Sequence, residues 1–324
     1  GKFITRRATR EDFGTNPCSE IILRSREFCN LSECVVRRED TRESLKEKVR
    51  TAAILGTFQS TLTEFKYLSR EWKKNCDEER LLGVSLTGIM DNPLTNGSKK
   101  GLDKLLEELR DIAYETNKEW SDKLGIPVSA AITCVKPSGT VSQLVDSASG
   151  IHARHNPHYI RTVRADNKDP LCKLMQDMGF PNEVDVTKPE HTTVFSFPMK
   201  TPKGAVCRMD MTALEQLELW KVYAESWCEH KPSVTISVKE DEWVEVASWV
   251  YKNFDSISGI SFLPFSEHVY RQAPYQDCTE GEYKEALKTM PKNVDWAELS
   301  KYESQDYTIA SQELACTAGG CEII

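Results

Sequence analysis

The feature that most narrows the fold is an alternation. From residue 42 onward, stretches with apolar residues at helical spacing are separated by short apolar runs. Residues 42–63 predict an amphipathic helix, and LLGVSLTGI (81–89) predicts a buried strand entering a glycine turn. Helical spacing returns over 101–123, a strand and turn over AAITCVKPSGT (130–140), a helix over 169–179 and a strand over TTVFSFPM (192–199). A helix over 211–229, strand SVTISV (233–238), a helix over 240–254, strand GISFLPF (259–265) and a helix over 279–289 complete the series. The expectation is an α/β fold with about five buried strands. Right-handed crossovers would make them parallel, as a sheet or part of a barrel. Five strands do not close a barrel by themselves. Residues 301–324 lack periodicity and predict a mobile tail.

Composition sets the outer limits. The chain has 324 residues, 39% hydrophobic and 28% charged, enough for one large core or two smaller ones. A formal net charge of −8 gives no footing for a nucleic-acid surface. No apolar run approaches the roughly 18–20 residues that span a bilayer. The opening GKFITRRATREDFG has basic residues but no apolar h-region, so no secretory signal is expected. It does not begin with Met, which fits a processed product. The mixed-sign run RREDTRESLKEKVR (37–50) reads as a solvated helix face. Eleven cysteines, an odd number in a chain without an export signal, predict reduced thiols in a cytoplasmic protein.

Three segments carry chemistry. In GTNPCSEIILRSREFCN (14–30), Pro17 fixes a turn before Cys18. Asn16, Cys18 and Glu20 alternate, so an extended backbone would set a thiol, a carboxylate and an amide on one face. Cys29 follows eleven positions after Cys18. The string is short, and residue pattern alone leaves a functional site and ordinary packing both open. In the second segment, Lys136-Pro137-Ser138-Gly139-Thr140-Val141-Ser142, a strand gives way to a helix start. Gly139 permits close backbone approach. The hydroxyls of Ser138, Thr140 and Ser142, with helix N-terminal N–H groups, suit a phosphate. The residues alone favour a plain Ser/Thr-capped helix start over a phosphate turn, and Lys136 is a weaker candidate that also reads as a flanking charge. The third segment, Cys316-Thr-Ala-Gly-Gly-Cys321, can close a small disulfide. A zinc reading lacks further paired ligands. Cys34, Cys76, Cys134, Cys172, Cys207, Cys228 and Cys278 read as structural. His152 and His155 lack a spaced set of metal partners, so no metal site is expected.

These segments share a resemblance. NPCSE (16–20), FCNLSE (28–33), NCDEERLLGVSLTGIMDN (75–92), VKPSGTVSQLVDSASGIHARHNPHYIRTVR (135–164), SFLPF (261–265) and QELACTAGGCEI (312–323) resemble ribonucleotide reductases, in the same order. The spacing of Cys18 and Cys29 is similar to the monomeric, adenosylcobalamin-dependent class II branch. The resemblance implies the second half of a ten-stranded α/β barrel. Residues 1–35 would be the finger-loop segment, 36–300 the C-terminal half-barrel with helices, and 301–324 a flexible redox tail.

It implies roles as well. Cys18 would carry a thiyl radical that takes the 3′ hydrogen of the ribose. Glu20 would be the general base at the 3′ hydroxyl, and Asn16 would hydrogen-bond the substrate hydroxyls. Cys29 would be one of two reducing thiols. Pro137, Ser138, Gly139, Thr140 and Ser142 would hold the substrate phosphates. Cys316 and Cys321 would shuttle electrons from a thioredoxin-type reductant. The chain lacks the Tyr-Tyr pair of the branch with a radical subunit and the glycyl-radical motif of the anaerobic branch. That leaves adenosylcobalamin (coenzyme B12) as cofactor, with ribonucleoside triphosphates expected over diphosphates. The Asp-x-His-x-x-Gly cobalamin signature is absent, and no cobalamin-contacting residue is assigned.

The finger loop normally sits mid-chain in this family and here begins at residue 14. The expectation is therefore a C-terminal half, from a split gene or intein processing. Its N-terminal half would supply the partner thiol of Cys29, across a large apolar interface. The competing readings are another thiyl-radical barrel enzyme and a non-catalytic remnant that pairs with a reductase.

Overall fold

The structure is a computed structural model that describes residues 7, 12–265 and 270–303. In chain order the elements are β1 (Phe13–Thr15), β2 (Ile22–Arg24), β3 (Asn30–Val35), α1 (Arg42–Gln59), α2 (Arg70–Glu79), β4 (Leu82–Thr87), α3 (Leu102–Leu124), β5 (Thr133–Cys134) and α4 (Thr140–Leu144). They continue with β6 (His158–Asp166), α5 (Pro170–Asp177), β7 (Asn182–Val184), β8 (Thr192–Lys200), α6 (Ala213–Ser226), β9 (Val234–Val238), α7 (Trp243–Asn253), β10 (Ile260–Pro264), β11 (Tyr275–Asp277) and α8 (Glu280–Thr289). The chain divides into two compact units, Gly1–Arg154 with Lys203–Phe265, and His155–Pro202 with Ser266–Ile324.

The first unit holds the parallel strands. Asn30 to Val35 of β3 lie opposite Leu82 to Thr87 of β4, and β4 pairs in turn with β5. A parallel bridge from Val135 to Pro232 carries the pairing on to β9, and β9 pairs with β10. The order is therefore β3-β4-β5-β9-β10, a partial barrel of five parallel strands. All six residues of β4 are buried, as befits a parallel strand covered on both faces. Leu45 and Val49 of α1, Leu105, Leu106 and Leu109 of α3, and Leu217, Trp220 and Tyr223 of α6 pack into one core with them. The large aromatics enter it without orphaned polar atoms. Trp227 Nε1 donates to Cys134 O at 2.7 Å, and Tyr223 Oη donates to Thr95 O at 2.8 Å. Capping sets the helix starts: Thr41 and Ser44 form a reciprocal capping box on α1, and Thr212 and Glu215 form one on α6.

One strand differs from the expectation. The run at 192–199 forms β8, but β8 belongs to the second unit and pairs antiparallel with β6 along its whole length. Its place among the five parallel strands is taken by β3. A short apolar run does not distinguish a parallel core strand from an antiparallel one. Asn30-Leu-Ser-Glu-Cys-Val35 carries polar residues and mostly half-buried positions, so it gives no such run. Helix α2 was also not legible, being mostly charged with only Cys76 buried.

The second unit is an antiparallel sheet in the order β11-β6-β8-β7. Cys172, Phe180 and Phe195 form its small core. No helix among the described residues is long and apolar enough to cross a membrane. Of the expected mobile tail, residues 304–324 with the pair Cys316 and Cys321 lie outside the described residues.

Candidate active site

Strands β1 and β2 form an antiparallel hairpin with Thr15 opposite Ile22, and Cys18 lies in its loop. The expected extended stretch is instead a tight turn. Ser19 N donates to Asn16 O at 2.9 Å, with Pro17 and Cys18 between them. Pro17 suits the first central position, and Ser19 closes the turn at φ +63°. The turn still brings Asn16 and Glu20 together, now across its mouth. Asn16 Nδ2 donates to Glu20 Oε1 at 2.6 Å, and Asn16 Oδ1 accepts from Ile21 N at 3.0 Å. Pro17 is exposed and Cys18 half-buried at the tip, while Glu20 is fully buried.

The scaffold grips this hairpin at three points. Lys136 Nζ donates to Glu20 Oε1 at 2.8 Å. Lys231 N donates to Glu20 O at 2.9 Å. His230 Nδ1 accepts from Ile22 N at 3.4 Å while its Nε2 meets Leu82 O at 2.8 Å. Burial pushes the His230 imidazole down to about 3, so it is neutral, with Nε2–H donating and Nδ1 accepting. No sequence signal marks His230: it is a lone histidine before Pro232.

Glu20 Oε2 is buried and has no hydrogen-bond partner among the described residues. A buried carboxylate oxygen with unmet acceptor capacity is costly, and it marks where a donor from a ligand would fit. Burial pulls the Lys136 ammonium down, and the hydrogen bond and charge of Glu20 more than offset this, leaving it above the ordinary lysine value. Lys136 is thus no mere flanking charge.

Cys29 lies just before β3. A Cβ added to Gly83 of β4 would sit 3.2 Å from Cys29 Sγ and 3.2 Å from Ile21 Cδ1, so the thiol packs on the β4 backbone. Burial first, then the charges of Glu20 and Glu27, push this thiol well above the ordinary cysteine value. At neutral pH it is a protonated S–H and not a thiolate. Beside it lies a four-charge cluster that sequence reading missed. The Glu27 side chain is fully buried and meets Arg7 at 3.2 Å, and Arg7 also pairs with Glu79. Arg24 approaches Glu79 at 3.4 Å. Burial pushes Glu27 up to about 7.

The second segment forms a turn into the short helix α4. Gly139 has φ +52°, and a Cβ there would meet nothing within 4 Å, so its outer side is open. Gly139 N donates to Ser149 Oγ at 3.3 Å, and Ser142 Oγ donates to Gly139 O at 2.7 Å. Pro137 is half-buried and Thr140 exposed. Ser138 Oγ is buried without a partner among the described residues. Behind the turn, Arg154 Nε and Nη2 reach Asp91 at 2.8 and 2.9 Å in a buried pair. The backbone between Ala148 and Gly150 is held by Asp91 and Thr87.

Of the remaining groups, Cys34, Cys76, Cys134, Cys172, Cys207 and Cys228 are buried, and Cys278 is half-buried. His152 spends both ring nitrogens on backbone, Nδ1 at Ser149 O and Nε2 at Thr235 N. His155 pairs with Asp277 at 2.7 Å. Among the described residues, no group of three or more His, Cys, Asp or Glu side chains could hold a metal.

The partial parallel barrel with its cysteine-bearing hairpin is similar in sequence and in fold to ribonucleotide reductases. Within that class its similarity is to the adenosylcobalamin-dependent branch. It is 29% identical to the adenosylcobalamin-dependent ribonucleoside-triphosphate reductase of Euglena gracilis, over 87% of this chain and 38% of that protein. It is 26% identical to the protein of the same name in Lactobacillus gasseri, over 96% of this chain and 45% of that one. Among solved structures, a B12-dependent (class II) ribonucleotide reductase superposes with a TM-score of 0.77 at 25% identity. The match covers 90% of this chain and 44% of that one. The α subunit of the Actinobacillus ureae class Id reductase shares the fold, with a TM-score of 0.53 at 14% identity. The chain spans less than half the length of the curated relatives it matches. No protein-family model matches it.

Proposed function

We propose that this chain is the catalytic C-terminal part of an adenosylcobalamin-dependent ribonucleoside-triphosphate reductase. The observation that carries the reading is the fully buried Glu20 beside Cys18. Its Oε1 is held by Asn16 and Lys136, and its Oε2 is left for a ligand hydroxyl. In this reading a thiyl radical on Cys18 takes the 3′ hydrogen of the ribose, and Glu20 Oε2 accepts the 3′-hydroxyl proton. The C2′–O bond breaks and the oxygen leaves as water. Two electrons and two protons come from Cys29 and a second thiol supplied by an N-terminal half, closing a disulfide. The protonated state of Cys29 suits this, since a thiol carries the hydrogen that a thiolate lacks. The net change is ribonucleotide plus two thiols to deoxyribonucleotide, disulfide and water. Cys316 and Cys321 then reduce that disulfide by thiol–disulfide exchange, and a thioredoxin-type protein reduces them. The turn at Pro137, Ser138, Gly139, Thr140 and Ser142 takes the phosphates. The unpartnered Ser138 hydroxyl and the open side of Gly139 support this.

Adenosylcobalamin, when bound, would supply the oxidising radical for Cys18. The exposed Pro17 and half-buried Cys18 leave the hairpin tip approachable by a bulky group, and no described residue is assigned to hold it. The reading is tested by mixing the chain with a candidate N-terminal half, adenosylcobalamin and a dithiol, and measuring deoxynucleotide formation. Cys18→Ser is expected to abolish turnover with assembly retained, and Glu20→Gln to lower it about 10²–10⁴-fold, the usual worth of a general base. Undiminished turnover by Cys18→Ser would refute the assignment. Turnover by the isolated chain would refute the need for a second half.

A further inference from the structure

A lysine 116 residues away in sequence ends on the carboxylate that the reading makes the base.

We propose that Lys136 is a positioning residue for that base: its ammonium is the counter-charge of the buried Glu20 carboxylate and fixes Oε2 as the accepting oxygen. The inference rests on the reading of Glu20 as the base. Glu20 is 0% exposed, and a buried carboxylate without a counter-charge takes up a proton instead. Asn16 offers one neutral hydrogen bond, which does not balance a charge. Lys136 supplies the balance at 2.8 Å, in a charge-assisted hydrogen bond. Asn16 and Lys136 both donate to Oε1. The proton-accepting task therefore falls to Oε2.

The lysine is held for this task along its backbone. Lys136 N donates to Ser85 Oγ at 2.9 Å on β4. Its carbonyl oxygen lies where a Cβ on Gly150 would come within 2.5 Å, so only a glycine at φ +53° leaves it room. The other titratable groups near Glu20 do not substitute for it. Cys18 and Cys29 carry no positive charge, nor does the buried Cys134 of β5. His230 is neutral, and Lys231 meets Glu20 through its backbone N–H. Lys136 also begins the Pro137–Ser142 turn. One residue thus joins the protonation state of the base to the segment assigned to the phosphates.

The test reads ionisation directly and needs no turnover. In the full chain labelled with ¹³Cδ-glutamate, with Glu20→Gln used to assign the Glu20 signal, the carboxyl is followed from pH 4 to 9. Lys136→Met is expected to move the Glu20 signal's titration to higher pH, the direction that follows from removing an adjacent opposite charge. Lys136→Arg should restore the wild-type midpoint. An unmoved midpoint in Lys136→Met overturns the proposal. If that variant does not fold, the reciprocal measurement decides. The Lys136 Nζ titration should fall in Glu20→Gln, and an unchanged one overturns the proposal equally. In the reconstituted enzyme, the acid limb of the kcat/KM profile should move with the Glu20 midpoint. A rise in nucleotide KM with an unmoved acid limb would make Lys136 a phosphate contact and overturn the proposal. Shifted titration without deoxynucleotide formation by the wild type would instead defeat the reductase reading and leave the lysine–glutamate coupling standing.

Discussion

Replacing Asp91 by Asn should be among the most damaging isosteric changes available to this chain. Asp91 is 2% exposed and Arg154 4%. Arg154 Nε donates to Asp91 Oδ1 at 2.8 Å and Nη2 to Oδ2 at 2.9 Å, while Ala148 N donates to the same Oδ2 at 2.9 Å. Every donor here points at a carboxylate oxygen. An Asn amide, in either orientation, turns an NH₂ toward donors and removes the buried negative charge opposite the guanidinium. Breaking a buried pair from one side costs about 3–5 kcal/mol. An exposed helix pair such as Lys123–Glu119 contributes little by comparison, because solvent screens it. Against a typical total of about 5–15 kcal/mol, the first is a large fraction and the second is not. Urea unfolding followed by tryptophan fluorescence should show Asp91→Asn losing about 3 kcal/mol or more at unchanged m-value. Arg154→Met should lose a similar amount. The double variant Asp91→Leu with Arg154→Met removes both charges and should be more stable than either single variant. A loss below about 1 kcal/mol in Asp91→Asn would refute the reasoning. So would a double variant as unstable as the sum of the two. The functional consequence is local: Asp91 fixes Ala148, two residues before the Gly150 that makes room for Lys136.

Three further outcomes follow from the geometry. His230 has a folded pKa of about 3, below the unfolded value near 6.5, so the unfolded chain binds the extra proton between those limits. Its contribution is present above pH 6.5 and is lost as pH falls toward 3. The stability of wild type minus His230→Gln should therefore rise with pH through that window and then level off; parallel curves would refute it. Glu27, pushed up to about 7 by burial, works in the opposite sense, so Glu27→Gln should remove a loss of stability that occurs as pH rises from about 4.5 to 7. Gly150→Ala places a Cβ against Lys136 O at positive φ and should cost at least about 1–2 kcal/mol, read from the same urea melts, whereas Gly125→Ala, with open space around it, should cost only the strain of its φ.

The parts of the fold legible in the sequence are those where burial is uniform. Strand β4 reads as a strand because all six of its residues are buried. Helix α3 reads as a helix because Leu102, Leu105, Leu106, Leu109 and Ala113 recur on one face. Strand β3 does not read, because Ser32 and Glu33 interrupt its apolar pattern. Strand β8 reads as a strand but not as antiparallel, since partner choice is a long-range property. The same division holds at the site. Asn16, Cys18 and Glu20 were legible as a group because they are close in sequence, although the turn at Pro17 brings Asn16 and Glu20 together by a different route from the extended face expected. Lys136 and His230 were not legible as members, because each reaches the hairpin across more than a hundred residues.

The burial of β4 also explains why the hairpin can carry reactive groups. Helices α1 and α3 pack with β4 in the main core. At Gly83 the missing side chain admits Cys29 Sγ and Ile21 Cδ1 instead. The hairpin segment thus supplies part of the cover that β4 requires, and β4 in return supplies a dry wall for Cys29. His230 ties the two together by meeting Leu82 O on β4 and Ile22 N on β2. A buried thiol and a buried carboxylate have opposite needs: apolar burial suits the first, a counter-charge the second. Gly83 on β4 provides the one, and Lys136, two residues past the end of the neighbouring strand β5, provides the other.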